Sequence, residues 1–163
     1  MSNRFVVVSF LDKAPSKRFK SNEWPLHMTL LRPFIYDGPL ELINENLNDL
    51  AKQLNPFTIK TSEDALFGPK ENIPVQLVEI NPGLSILHLR LAGLVTKLSL
   101  EYEYPALSEE GYRFHITTQR GQKAPSNMEL PVTGFSLVDR QADSEKGLKR
   151  AVNSFELGQH QSI

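Results

Sequence analysis

The chain has no cysteine. Disulfides, thiolate nucleophiles and cysteine-held zinc are therefore excluded, and the composition fits a reducing compartment such as the cytoplasm. Long apolar runs are missing too, and a membrane helix needs about 20 such residues. The run Phe5 to Leu11 stops at Asp12-Lys13 with no small-residue cleavage site behind it, so it reads as a buried strand and not as a signal core. There is no His-Glu-x-x-His, no Asp-rich calcium loop, no Walker loop and no Gly-x-Gly-x-x-Gly. Motif-based metal binding and ATP-dependent ligation thus find no support, and the reading that follows needs no cofactor and no metal. Charge of one sign is also lacking. With 18 basic and 19 acidic residues the net charge is -1. No global field gathers long nucleic acid, so an anionic substrate would be held locally.

What is present suits one globular domain over residues 1–163, with 40% hydrophobic residues and length enough for a real core. Residues 4–11 read as a strand. The stretch 12–25 reads as an irregular loop carrying Lys13, Lys17, Arg18 and Lys20, either a solvated loop or a lip beside a substrate. Residues 26–34 form the next strand. After Asp37-Gly38-Pro39, the apolar residues Leu40, Ile43, Leu47, Leu50 and Leu54 recur at helical spacing, and Asn55-Pro56 closes that helix. Strands are expected over 57–63 and 74–80, separated by Phe67-Gly68-Pro69. Asn81-Pro82 looks like an N-cap followed by proline at the first helical position, and Leu84, Leu87, Leu91, Val95 and Leu98 line one side of the helix. Strands follow around 112–119, 131–140 and 149–157, with 158–163 as a frayed tail. Helices set among strands in this order imply an α+β architecture, with helices packed outside antiparallel sheets.

Two of the four histidines open the same pattern, His-x-Thr-x-x-Arg: His27, Thr29, Arg32 and His115, Thr117, Arg120. Side chains alternate along a strand, so each His shares a face with its Thr. Arg113 has the parity of His115 and is a candidate wall of the same cleft. Arg32 and Arg120 have the opposite parity and point away unless a bulge or a strand end turns them. Imidazole titrates near neutral pH, so one ring can take a proton while the other gives one. Thr hydroxyls can donate to phosphate oxygens as charge builds there. The pattern therefore points to metal-free phosphoester chemistry between two pseudo-equivalent halves. Trp24, just before the first motif, is the best candidate for stacking a base. Phe34, Tyr36 and Phe67 read as core, Tyr112 and Phe114 as facing the core, and Lys70 as a surface lysine. His88 reads as a packed helix residue and His160 as a solvated one.

HMTLLR and FHITTQR resemble the two signature motifs of the 2H phosphoesterase superfamily, which includes bacterial 2′-5′ RNA ligase-like proteins and plant-type cyclic phosphodiesterases. The segment DALFGPKENIPVQLVEI is similar to that family's middle region. One departure is Phe114, where relatives often carry proline before the histidine. The resemblance implies a bilobal fold with two antiparallel sheets around a central cleft. By that likeness His27 and His115 are the catalytic pair, with Thr29 and Thr117 as phosphate ligands. It further implies a 2′,3′-cyclic phosphate or 2′-5′ phosphodiester of a nucleotide or RNA end as substrate. No membrane partner is expected, because no segment is apolar long enough to span one. The alternative is a non-catalytic module that binds a nucleotide or RNA end in the same cleft. Nothing in the sequence asks for more than a monomer, and the oligomeric state stays open.

Overall fold

A computed structural model describes residues 3–104, 112–143 and 147–158. The expected tail residues 159–163, His160 among them, lie outside the described residues. Nine strands and two α-helices follow in the order β1 (Arg4–Phe10), β2 (His27–Ile35), α1 (Leu40–Gln53), β3 (Phe57–Phe67), β4 (Ile73–Val78), α2 (Pro82–Lys97), β5 (Glu101–Tyr102), β6 (His115–Thr117), β7 (Glu129–Val132), β8 (Gly134–Asp143) and β9 (Leu148–Glu156). The architecture is α+β.

The strands join along the path β7-β3-β4-β6-β2-β1-β8-β9, with β5 beside β2. All pairings are antiparallel. The two expected sheets are thus two halves of one curled nine-stranded sheet, β7-β3-β4-β6 on one side and β2-β1-β8-β9 with β5 on the other. Their seam is narrow: β2 meets β6 at the pair Met28 and Ile116. Both of these side chains are buried on the helix-covered face.

That face holds the main core. Ile43, Leu47 and Leu50 of α1 and Leu84, Leu87 and Leu91 of α2 pack with Leu30, Leu31, Phe34 and Ile116. The apolar stripes read from helical spacing are the buried faces of both helices. A fully buried leucine contributes roughly 1.5–3 kcal/mol, so each of these six helix residues stabilises the packing of helix on sheet by about that much. Asn81 caps α2 as expected: its side-chain oxygen accepts from the Leu84 N–H at 2.9 Å, and its amide donates to the Thr58 carbonyl at 2.8 Å.

The opposite face carries a second, smaller cluster. Val6, Val8, Phe19 and Val138 are buried there, with Phe10 and Trp24 packed against them. Phe19 comes from the 12–25 loop, which is pinned rather than loose. Its N–H donates to the Lys149 carbonyl at 2.9 Å, and the Lys149 N–H donates back at 2.8 Å.

Several boundaries differ from the sequence expectations. β3 runs on to Phe67 and forms a hairpin with β4 through a turn at Gly68, whose φ of 94° suits a residue without Cβ. The strand expected at 131–140 is two strands, β7 and β8, broken at Thr133. At the break, a Cβ on Gly134 would sit 2.5 Å from the Phe155 carbonyl oxygen, so only glycine lets β9 come this close. The strand expected over 112–119 shortens to β6, residues 115–117.

Candidate active site

The seam between the halves positions both motifs. Because Met28 faces Ile116 in an antiparallel pair, the register puts His27 opposite Thr117 and Thr29 opposite His115. All four share the face away from Met28, Ile116 and the helices. Directly opposed Cβ atoms lie about 5 Å apart and diagonal ones roughly 7–8 Å apart. The two histidines are on a diagonal, a span that a phosphoryl group can occupy, and the two threonines are on the other.

Each imidazole is anchored in the same way. His27 Nδ1 donates to the Pro25 carbonyl at 2.8 Å, and His115 Nδ1 donates to the Arg113 carbonyl at 2.8 Å. In both motifs the acceptor is two residues upstream. A carbonyl accepts only, so the neutral ring carries its proton on Nδ1 and its lone pair on Nε2. Nε2 is then the nitrogen that can take or give a proton in the cleft.

Aromatic rings pack each imidazole from the side. Trp24 lies 4.5 Å from the His27 ring, and Phe10 meets His27 edge-on at 6.1 Å. Phe67, brought over by the β3–β4 hairpin, meets His115 edge-on at 4.6 Å. The Arg113 guanidinium sits 5.2 Å from the Phe67 ring centre. Burial pushes the His27 pKa below its ordinary value; the hydrogen bond to Pro25 opposes this, and the charge of His115 lowers it further. Burial likewise lowers the pKa of His115, opposed by the bond to the Arg113 carbonyl and assisted by the Arg113 charge.

The sequence-predicted residues divide as follows. His27, Thr29, His115 and Thr117 come together on one face; Trp24 and Arg113 stand beside them. Arg32 and Arg120 do not join them. A bulge in β2 pairs Val8 with Thr29 but Val7 with Leu31, so Leu30 and Leu31 both turn into the core. Past this bulge Arg32 lies against β5, 3.6 Å over the Tyr102 ring and donating to the Tyr104 carbonyl at 2.7 Å. Arg120 is exposed in the tight turn after β6, at φ 51°. Phe67 and Phe10 were missed by sequence reasoning as partners of the imidazoles; Phe67-Gly68-Pro69 marked a break between two strands but not where that break folds. Below the site, His88 of α2 is buried, donates from Nδ1 to the Leu30 carbonyl at 2.9 Å, and stacks on Tyr112 at 5.4 Å. Among the described residues no three His, Asp or Glu side chains gather as a metal site would require.

A curled antiparallel sheet with paired His-x-Thr motifs at its seam and both helices behind defines the 2H phosphoesterase class of fold. The chain belongs to the 2′-5′ RNA ligase superfamily, whose family model matches residues 8–143. It is 33% identical over 81 residues to a Bacillus cereus (strain G9842) protein that carries the name phosphoesterase provisionally, covering 49% of this chain and 47% of that one. A Bacillus cereus (strain B4264) protein of the same provisional name is 37% identical over 82 residues, covering 49% of this chain and 46% of that one. The chain therefore spans about half the length of the curated relatives it matches. Among solved structures, TT0787 of Thermus thermophilus shares the fold with a TM-score of 0.65 at 23% identity, covering 96% of this chain and 100% of that one. Escherichia coli LigT complexed with 3′-AMP does so with a TM-score of 0.59 at 13% identity, covering 98% of this chain and 100% of that one. Among the described residues, no helix is long and apolar enough to cross a membrane.

Proposed function

We propose that this chain is a metal-independent phosphodiesterase acting on a 2′,3′-cyclic phosphate, or on a 2′-5′ phosphodiester, at a nucleotide or RNA end. The single observation that carries the proposal is the pair of identically anchored imidazoles, each held by a carbonyl two residues upstream, on one face with both threonines. A binding cleft has no use for two rings with matched tautomers; an acid–base reaction does. Family membership and the phosphoesterase names of the relatives support the class of reaction. LigT of this fold has been solved with 3′-AMP, NADP+ and ATP, which favours a nucleotide ligand here as well.

In the proposed reaction water attacks phosphorus from the side of the neutral histidine. Its Nε2 takes the water proton as the new P–O bond forms. The other histidine, protonated at Nε2, gives its proton to the ribose oxygen whose P–O bond breaks. The product is a phosphomonoester, and solvent exchange restores the two protonation states. Thr29 and Thr117 hydroxyls donate to the non-bridging oxygens, and Arg113 supplies positive charge at the wall. Trp24, half-buried beside His27, is the ring on which a base would stack. Arg32, held over Tyr102 and on the Tyr104 carbonyl, and Arg120, exposed in the turn after β6, take no part in this proposed reaction.

The test is hydrolysis of 2′,3′-cyclic nucleotides, and of short RNA ending in a 2′,3′-cyclic phosphate, in the presence of EDTA. His27→Ala and His115→Ala should each lose about 10²–10⁴-fold in kcat while staying folded. Wild-type turnover by either variant, or turnover abolished by EDTA alone, would sink the proposal. If the wild type binds 3′-AMP but turns over none of these substrates, the cleft is a binding module.

A further inference from the structure

We propose that the face formed by the 12–25 loop is a binding track for the sugar–phosphate backbone of single-stranded RNA, leading from the reacting end past Trp24. The proposal rests on the functional reading above and extends it: the substrate is a polynucleotide end and not a free cyclic nucleotide.

Charge is segregated in this chain. Residues 13–20 contain Lys13, Lys17, Arg18 and Lys20 and no acid, so this segment carries +4 while the rest of the chain carries -5. All four cationic residues are exposed. The carboxylates bordering the segment are partly occupied by backbone: Asp12 accepts from the Lys13 N–H at 2.8 Å, and Glu23 accepts from the Lys20 N–H at 2.8 Å.

A charged loop that flops binds weakly, because ordering it costs conformational entropy. This one is ordered already. Phe19 sits between Arg18 and Lys20 in sequence, is buried in the small cluster, and exchanges two backbone hydrogen bonds with Lys149. Its anchorage presents the two flanking cations to solvent. The same residue connects the loop to the site: the Phe19 ring meets Trp24 at 4.9 Å, and Trp24 meets His27 at 4.5 Å. Cations on a fixed support, followed by an aromatic ring at the reacting end, are what single-stranded nucleic acid asks for: charge for phosphates and a π-face for a base. A mononucleotide held between the histidines would leave these cations without a role.

The experiment compares a cyclic mononucleotide with a ten-nucleotide RNA ending in a 2′,3′-cyclic phosphate, using wild type and the triple variant Lys17→Glu, Arg18→Glu, Lys20→Glu. For wild type, kcat/KM should be at least tenfold higher on the oligonucleotide at low salt. The triple variant should erase that advantage through KM while leaving mononucleotide turnover within about twofold. Oligonucleotide binding to wild type should fall with salt, and the three reversals should cut the slope of log K against log salt by about 2, at roughly 0.7 per phosphate contact. The track is overturned if wild type shows no preference for the longer RNA, or if the triple variant alters both substrates equally. Should neither substrate turn over, fluorescence anisotropy with a labelled ten-nucleotide RNA ending in a 3′-phosphate still decides the matter. Salt-sensitive binding lost in the triple variant keeps the track although the catalytic reading has failed; binding indifferent to the reversals removes it.

Discussion

Replacing His88 with leucine tests whether the helix-covered face holds the first motif in register. His88 Nδ1 donates to the Leu30 carbonyl at 2.9 Å, the carbonyl that the β2 bulge takes out of regular pairing just after Thr29. Leu30 itself is fully buried, so water cannot easily replace the lost donor. Leaving one buried acceptor unpaired costs about 1–3 kcal/mol. The imidazole also stacks on Tyr112 at 5.4 Å and meets Phe114 edge-on at 5.0 Å, contacts that add roughly 0.5–1.5 kcal/mol beyond the area they bury. Leucine keeps the volume and loses both, so His88→Leu should destabilise the fold by about 2–4 kcal/mol, or roughly 4–16 °C in Tm for a chain of this size. Urea unfolding at pH 7.5 reads the loss directly. His88→Asn, whose amide can stand in for Nδ1–H, should recover part of it. The reasoning is refuted if His88→Leu unfolds at the wild-type midpoint with an unchanged slope, because the Leu30 carbonyl would then not depend on this donor.

Other outcomes follow from the same geometry. Trp24→Ala uncovers His27, whose low pKa is chiefly due to burial, so the His27 limb of the pH–kcat/KM profile should move toward higher pH; an unmoved profile would show that Trp24 does not shield the ring. Both cleft histidines have folded pKa values below the unfolded value of about 6.5. The unfolded chain therefore takes up protons first as pH falls. Their contribution to stability is complete above pH ~6.5 and is lost on descent through the folded values, so the urea midpoint of wild type should fall there relative to that of the double variant His27→Gln, His115→Gln; parallel pH dependence of the two would refute this. Asn81→Ala removes the α2 cap and should cost about 1–2 kcal/mol in thermal unfolding while sparing the pH profile.

The sequence made the helices legible because both carry one apolar stripe that ends at clear signals, Asn55-Pro56 for α1 and Asn81-Pro82 at the start of α2. It made the motif faces legible because alternation alone puts His27 with Thr29 and His115 with Thr117. It also placed Phe114 and Tyr112 toward the core, as found. What alternation could not supply was adjacency. That β2 and β6 are neighbours, with His27 across from Thr117, is a property of strand pairing over 88 residues of separation, and no local pattern encodes it. The β2 bulge was equally hidden: Leu30-Leu31 reads like any two apolar residues in a row, yet it decides that Arg32 ends beside Tyr102. Phe67 reads as core from the sequence, yet it is only half-buried and lies against His115, because that contact depends on how far the β3–β4 hairpin curls. The β7–β8 break turns on the closeness of β9 to Gly134, again a tertiary fact.

The contact between Trp24 and His27 has an optical consequence. Trp24 is the single tryptophan of the chain. Indole emission is quenched by a neighbouring imidazolium and much less by neutral imidazole, so the tryptophan fluorescence of the unlabelled protein reports the protonation of the ring beside it. Titrating it with acid follows His27 as its titration is coupled to that of His115, and titrating it with a phosphate ester at fixed pH follows the change in that proton as an anion arrives. The molecule thus carries its own indicator dye at the seam of its two halves, and the acid–base state of the cleft can be watched in the native chain with no substitution at all.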